Sequence, residues 1–122
     1  MPKQLSTILV RRGDIVLVPF PNSDLRTMKV RPALVVQSDR IDSDLSQIIL
    51  AMISSNLRRT GRKTRYLIEI NTPVGESSGL LVDSVVMSDN IATVLRSDLI
   101  RILGNLVQMN DVDESLRHSL SI

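Results

Sequence analysis

Apolar and polar positions alternate in short blocks along this chain, and the blocks read as strands almost throughout. From Asp14 the residues Ile15, Val16, Leu17 and Val18 form a β-branched run that ends in Pro19, Phe20 and Pro21, which predicts a first strand closed by prolines. Residues 22–29 are polar, with Asn22, Ser23 and Asp24 as turn formers. A second strand is expected from about Arg31 to Gln37. Proline disfavours the α region for the residue before it, so Arg31, fixed to Pro32, is expected extended at the mouth of that strand. After a loop over 38–46, the stretch Gln47 to Ile53 is continuously apolar past its first residue, as in a strand buried on both faces, although periodicity alone also admits a helix. Ser54, Ser55 and Asn56 end it. Tyr66 to Ile70 alternates as a strand, Pro73, Gly75 and Gly79 mark a turn region, and Leu80 to Met87 is apolar again. Ser88, Asp89 and Asn90 interrupt that run before Ile91 to Leu95 resumes it, and Ile100, Ile102 and Leu103 suggest a short last strand ending near Gly104. Only the tail looks helical. Asn110 suits an N-cap, Asp111, Asp113 and Glu114 suit the positive end of a helix, and Val112, Leu116 and Leu120 recur at four-residue spacing.

Short strands with tight connections close more readily into a small antiparallel barrel than into a doubly wound sheet, which needs helical crossovers. The expectation is therefore a mainly β fold with a C-terminal helix. One domain over 1–122 accounts for the length: an N-terminal segment 1–10, a barrel over 11–108 and the helix over 110–120. A hydrophobic content of 43% supports a sizeable core without staples. With no cysteine and one histidine, His118, disulfides, a sulfur and imidazole zinc site, a thiol nucleophile and a histidine pair are excluded. His118 itself reads as a surface or partly packed helix residue. Met1 to Val10 has one lysine and an apolar stretch too short for a signal peptide, and nothing approaches a membrane span, so a cytoplasmic protein with no membrane partner is expected.

The formal charge of +2 is unevenly spread: Arg58, Arg59, Arg62, Lys63 and Arg65 lie within eight residues, while acidic residues cluster near the C-terminus. Such a run is either a solvated loop or a nucleic-acid contact. Phe20 and Tyr66 are the only Phe, Tyr or Trp rings, so base stacking on an aromatic platform is not expected to dominate. Asp42, Ser43 and Asp44 read as a solvated turn whose polar groups could also meet RNA bases. Arg31 is unusual. A permanently charged, fork-shaped guanidinium launching an apolar run matches a phosphate; the competing reading is a stem lying over the core with its head in water.

Arg12, Gly13, Asp14, Ile15 and Val16, then Val30, Arg31, Pro32, Ala33, Leu34, Val35 and Val36, then Ile53, Ser54 and Ser55, together resemble a MazF/PemK-type toxin. Gly79 to Val85 with Asp83, the Ser88, Asp89, Asn90 step and the terminal helix extend the resemblance over about residues 11–120. The resemblance implies a Src-homology-3-like barrel of the MazF/PemK, CcdB-like type. It implies a homodimeric toxin of a type II toxin–antitoxin pair that needs no metal and no cofactor. Its implied activity is sequence-specific cleavage of single-stranded RNA by 2′-hydroxyl attack, leaving 2′,3′-cyclic phosphate and 5′-hydroxyl ends. Its implied partners are the RNA substrate, a cognate antitoxin protein and, together with that antitoxin, operator DNA.

On this resemblance the arginine before proline falls on Arg31 and the serine or threonine after the third strand on Ser54. The acidic-then-amide step falls on Asp89 and Asn90. Arg31, Ser54 and Asp89 are the catalytic candidates. Arg26, Lys29, Ser55, Arg58, Arg59, Arg62, Lys63 and Asn90 are the RNA-binding ones. Two departures stand out: Met87 replaces an arginine that takes part in catalysis in the PemK branch, and Ser23 to Lys29 replaces a commonly glycine-rich loop. The chemistry is coherent with the remaining residues. Attack by a 2′-hydroxyl builds negative charge on a phosphorane, which calls for fixed donors such as Arg31 and Ser54. An arginine is a poor base at neutral pH, which leaves Asp89 as the alternative. Without cleavage the same residues would fit a CcdB-like gyrase poison or a DNA- or RNA-binding autoregulator.

Overall fold

The computed structural model describes residues 8–41 and 45–122, so Asp42, Ser43 and Asp44, and residues 1–7 of the N-terminal segment, lie outside the described residues. Six strands form one antiparallel sheet: β1 (Asp14–Pro21), β2 (Met28–Val35), β3 (Gln47–Ser54), β4 (Arg65–Ile68), β5 (Ser84–Leu95) and β6 (Arg101–Asn105). Their order across the sheet is β4-β5-β3-β2-β1-β6. The sheet curls until β1 touches β5, two strands beyond its neighbour β2, so the fold is a half-closed barrel. Two helices complete it, α1 (Pro73–Ser78) against β6 and α2 (Asn110–Leu120) against β4 and β5.

Strand alternation sends successive side chains into two cores. Val16, Val18, Phe20, Ala33, Val35, Leu50 and Val94 fill the inside of the curl, closed by Leu99. Ile15, Leu34, Ala51, Ile53 and Val86 face the other way and are covered by Val112 of α2 and by Leu106. Both faces of β3 are therefore buried, which explains its continuous apolar run. Buried Ser88 and Ser115 hydrogen-bond to each other and tie α2 to β5, while Arg12 Nη2 meets Asp113 Oδ1 at 2.7 Å and ties α2 to the start of the chain.

Several expectations are corrected. The second strand begins at Met28 and ends at Val35, so Arg31 lies inside β2. The reason is that β1 continues through its prolines: Pro19, Phe20 and Pro21 pair with Val30, Lys29 and Met28. Pro32 fits because the ladder from β2 to β3 begins only at Ala33. The turn region holds a helix, α1, capped by Thr72, whose Oγ1 accepts from Gly75 N at 3.1 Å, with Pro73 at its first position. Gly79 ends it at φ 74°, and a Cβ there would overlap the Leu103 carbonyl, so both conformation and contact call for glycine. Leu80 to Asp83 precede the strand, which starts at Ser84 and runs unbroken to Leu95. Ser88, Asp89 and Asn90 form a bulge in it: Met87 pairs with Met52 and Ile91 with Ala51, so three residues have no partner on β3. Finally, Met109 occupies the N-cap position of α2 and Asn110 is its first helical residue, with no side-chain cap bond.

Candidate active site

The ladder between β2 and β3 stops at Ala33 and Met52, and from there the two strands part. Val30 and Arg31 stand on one side of the opening, Ile53, Ser54 and Ser55 on the other. Gly79 to Val82, leading from α1 to β5, and Leu17, Arg101 and Leu103 of the neighbouring strands complete a cleft of about 560 Å³. Leu17 pairs with both Pro32 and Arg101, so these three share one face across three strands. The lining carries three cations, Lys29, Arg31 and Arg101, and three hydroxyls, Ser54, Ser55 and Ser84. Among the described residues it carries no carboxylate.

Arg31 is half-buried, and its Nη2 donates to Asn22 Oδ1 at 2.8 Å. Its Nε is buried with no partner among the described residues. An orphan donor beside a cationic cleft carries a desolvation cost that an anionic oxygen would offset. Asn22 belongs to the turn after β1, where Asp24 organises the chain: its Oδ1 accepts from Thr27 N at 3.0 Å and Arg26 N at 2.8 Å, and its Oδ2 from Thr27 Oγ1 at 2.9 Å. Those bonds, the Thr27 backbone first, hold the Asp24 carboxyl below the usual aspartate range.

The structure thus brings together Arg31, Ser54, Ser55 and Lys29. It places Asp89 off the lining of that cleft, on the β5 bulge, where the carboxylate forms an ion pair with Arg65 and accepts from Thr64 Oγ1 at 3.2 Å. Asn90 donates to Met52 Sδ at 3.3 Å. Arg58 and Arg59 wall a smaller hollow with Asn56, Arg65, Val85 and Met87, and Ser54 lines both this hollow and the cleft. Arg65 sits directly across the ladder from Met87. Arg62 and Lys63 are exposed on the same loop, and Lys63 also borders a hollow with Tyr66, Asp111 and His118. Arg26 is exposed in the turn after β1. Sequence reading missed Arg101 and the part played by Asn22. Arg101 is the one charged residue of a short strand, and only the β1 to β6 pairing brings it to the cleft. Asn22 carried a turn signal and nothing more. Among the described residues no cluster of His, Cys, Asp and Glu is arranged to hold a metal ion.

A half-closed β-sheet with a cationic, hydroxyl-lined cleft where two strands part defines a small domain suited to an anionic ligand. Residues 11–120 match the family described as PemK-like, MazF-like toxin of type II toxin–antitoxin system. The probable endoribonuclease MazF of Mycolicibacterium smegmatis is 30% identical over 103 residues, covering 84% of this chain and 87% of that protein. Among solved structures, an endoribonuclease in complex with its cognate antitoxin from mycobacterial species superposes with TM-score 0.72 at 21% identity, over 93% of this chain and 97% of the other. MazF of Deinococcus radiodurans superposes with TM-score 0.68 at 20% identity, over 94% and 99%. The chain belongs to the PemK-like, MazF-like toxin family. Among the described residues no helix is long and apolar enough to cross a membrane.

Proposed function

We propose that this chain is the toxin of a type II pair and an endoribonuclease that cleaves single-stranded RNA at short sequences without a metal ion. The observation that carries the reading is the cleft with Lys29, Arg31 and Arg101 on its walls, three hydroxyls beside them and, among the described residues, no carboxylate. A polyanion enters such a cleft favourably, and the orphaned Arg31 Nε gains a partner when a phosphate oxygen reaches it. The 2′-hydroxyl attacks the adjacent phosphate, the bond to the 5′-oxygen breaks, that oxygen takes a proton from solvent, and the products are a 2′,3′-cyclic phosphate and a 5′-hydroxyl. Arg31 and Ser54 donate to the nonbridging oxygens as charge builds. Removing one such donor costs about 2.7 to 4 kcal/mol in the barrier, roughly 100- to 1000-fold in rate.

Among the described residues the cleft lining has no imidazole and no carboxylate, so the proton of the 2′-hydroxyl goes to solvent or to Asp89, which must leave its ion pair with Arg65 to take it. Asp89→Asn separates these: a large rate loss at unchanged stability assigns the base to Asp89. Arg26, Lys29, Ser55, Arg58, Arg59, Arg62, Lys63 and Asn90 are proposed to bind the strand on either side of the cut. A second copy of the chain and an antitoxin protein are the proposed partners in the cytoplasm, and the toxin–antitoxin complex is proposed to bind operator DNA. The test is purified protein with mixed single-stranded RNA in EDTA. Discrete fragments with 5′-hydroxyl ends, lost in Arg31→Ala, are expected. Intact RNA with gyrase-linked DNA breaks would transfer the chain to the gyrase-poison reading.

A further inference from the structure

We propose that Asn22 is a positioning residue for Arg31, set in its orientation by a relay of hydrogen bonds that begins at the Asp24 carboxylate. The proposal rests on the cleavage reading above. The relay has a fixed direction. A carboxylate only accepts, so the Thr27 hydroxyl must give its proton to Asp24, at 2.9 Å from Oδ2. The Thr27 oxygen is then left to accept, which it does from Asn22 Nδ2 at 2.8 Å. With its amide nitrogen committed, Asn22 turns its carbonyl oxygen toward Arg31 and accepts from Nη2 at 2.8 Å. The backbone keeps the turn in register: Asn22 N donates to Thr27 O and Leu25 N to Asn22 O, each at 2.9 Å.

The choice of an amide matters. A carboxylate at position 22 would hold the guanidinium as firmly but would pair with its charge, and Arg31 would then meet a phosphate largely neutralised. Asn22 fixes one arm of the fork and leaves the charge for the ligand. Asp24 lies at the far end of the relay, separated from Arg31 by Thr27 and Asn22, and its charge is spent on Thr27 and the backbone N–H groups of Arg26 and Thr27. The turn from Asn22 to Thr27 is thus a built support for the cleft wall.

The experiment compares Asn22→Ala, Asn22→Asp, Thr27→Val and Thr27→Ser with the wild-type protein, in single-stranded RNA cleavage and in NMR of the Arg31 guanidinium. Asn22→Ala is expected to lower kcat about ten- to hundredfold with KM within about threefold, because orientation and not charge is lost. Asn22→Asp is expected to weaken RNA binding and to reduce its salt dependence by about one phosphate contact, a slope change of roughly 0.7. Thr27→Val should follow Asn22→Ala, and Thr27→Ser, which keeps the hydroxyl, should restore wild-type kcat. In the spectra, hindered rotation of the Arg31 Nη groups should be present in wild type and in Thr27→Ser and lost in Asn22→Ala. Wild-type kcat in Asn22→Ala, or equal behaviour of the two Thr27 variants, overturns the proposal while leaving the cleavage reading intact. Should the wild-type protein leave all RNA uncut, the cleavage reading fails and the spectra alone decide: equally free Arg31 rotation in wild type and Asn22→Ala overturns the relay.

Discussion

Arg31→Lys isolates the fork of the guanidinium from its charge. Arg31 has one arm on Asn22 at 2.8 Å and its Nε buried without a partner, so two nitrogens of one rigid plane serve two different directions. A lysine offers a single nitrogen and cannot hold Asn22 and a phosphate oxygen together. The charge in the cleft is kept, and with Lys29 and Arg101 unchanged RNA affinity should stay within about threefold and the salt slope should not move. What disappears is an oriented donor at the developing phosphorane, about 2.7 to 4 kcal/mol, or roughly 100- to 1000-fold in the chemical step. Single-turnover cleavage of a defined single-stranded RNA reads that step, and a filter-binding salt titration on an RNA with a 2′-deoxy nucleotide at the cut reads affinity. Thermal unfolding confirms that the variant is folded. A single-turnover rate within about threefold of wild type would refute the assignment of a geometric role to Arg31.

Arg101→Ala is expected to lower the salt slope of RNA binding by about 0.7, one phosphate contact on a single strand, with little effect on the single-turnover rate at saturating RNA. Gly79→Ala is expected to destabilise the fold by about 1 to 3 kcal/mol in denaturant unfolding, since its φ of 74° disfavours a Cβ and the Cβ would meet the Leu103 carbonyl. Tyr66 is the only tyrosine, so its phenolate absorbance titrates alone. Burial first, and the Asp111 charge second, raise its pKa above the ordinary value. The neutral ring therefore contributes stability that is whole below the unfolded pKa of about 10 and is lost as pH rises through the raised folded value. Native protein should titrate above the unfolded chain, and Asp111→Asn should narrow the gap; coincident curves would contradict the burial.

Apolar runs mark β1 to β5, the strands that bury side chains, and β3, buried on both faces, is continuously apolar, a run that periodicity alone also allows in a helix. The start of β2 was hidden: Met28, Lys29 and Val30 are exposed, and only the continued pairing of Pro19 to Pro21 makes them a strand. Helix α1 was hidden for a different reason, since six residues give no periodicity, and its cap Thr72 with Pro73 and Gly79 also spells a turn. Asp89 read as an interruption, whereas its place on a bulge depends on the register of β3 against β5. Within the site, Arg31 was visible as a charge at the head of an apolar run, and Ser54 drew its weight from family resemblance alone. Their meeting in one cleft follows from where the β2 to β3 ladder stops, which no local pattern encodes. Arg101 and Asn22 are further cases of the same kind, brought to the site by strand order and by a turn.

The central claim is that the cleft between β2 and β3 takes the scissile phosphate. A crystal structure of the protein with a short single-stranded RNA, carrying a 2′-deoxy nucleotide at the cleavage position, tests it most directly. The account predicts a phosphate whose nonbridging oxygens accept from the Arg31 guanidinium and Ser54 Oγ, with Asn22 still bound to the other arm of Arg31. RNA bound along Arg58 to Arg65 with no phosphate at Arg31 would contradict it.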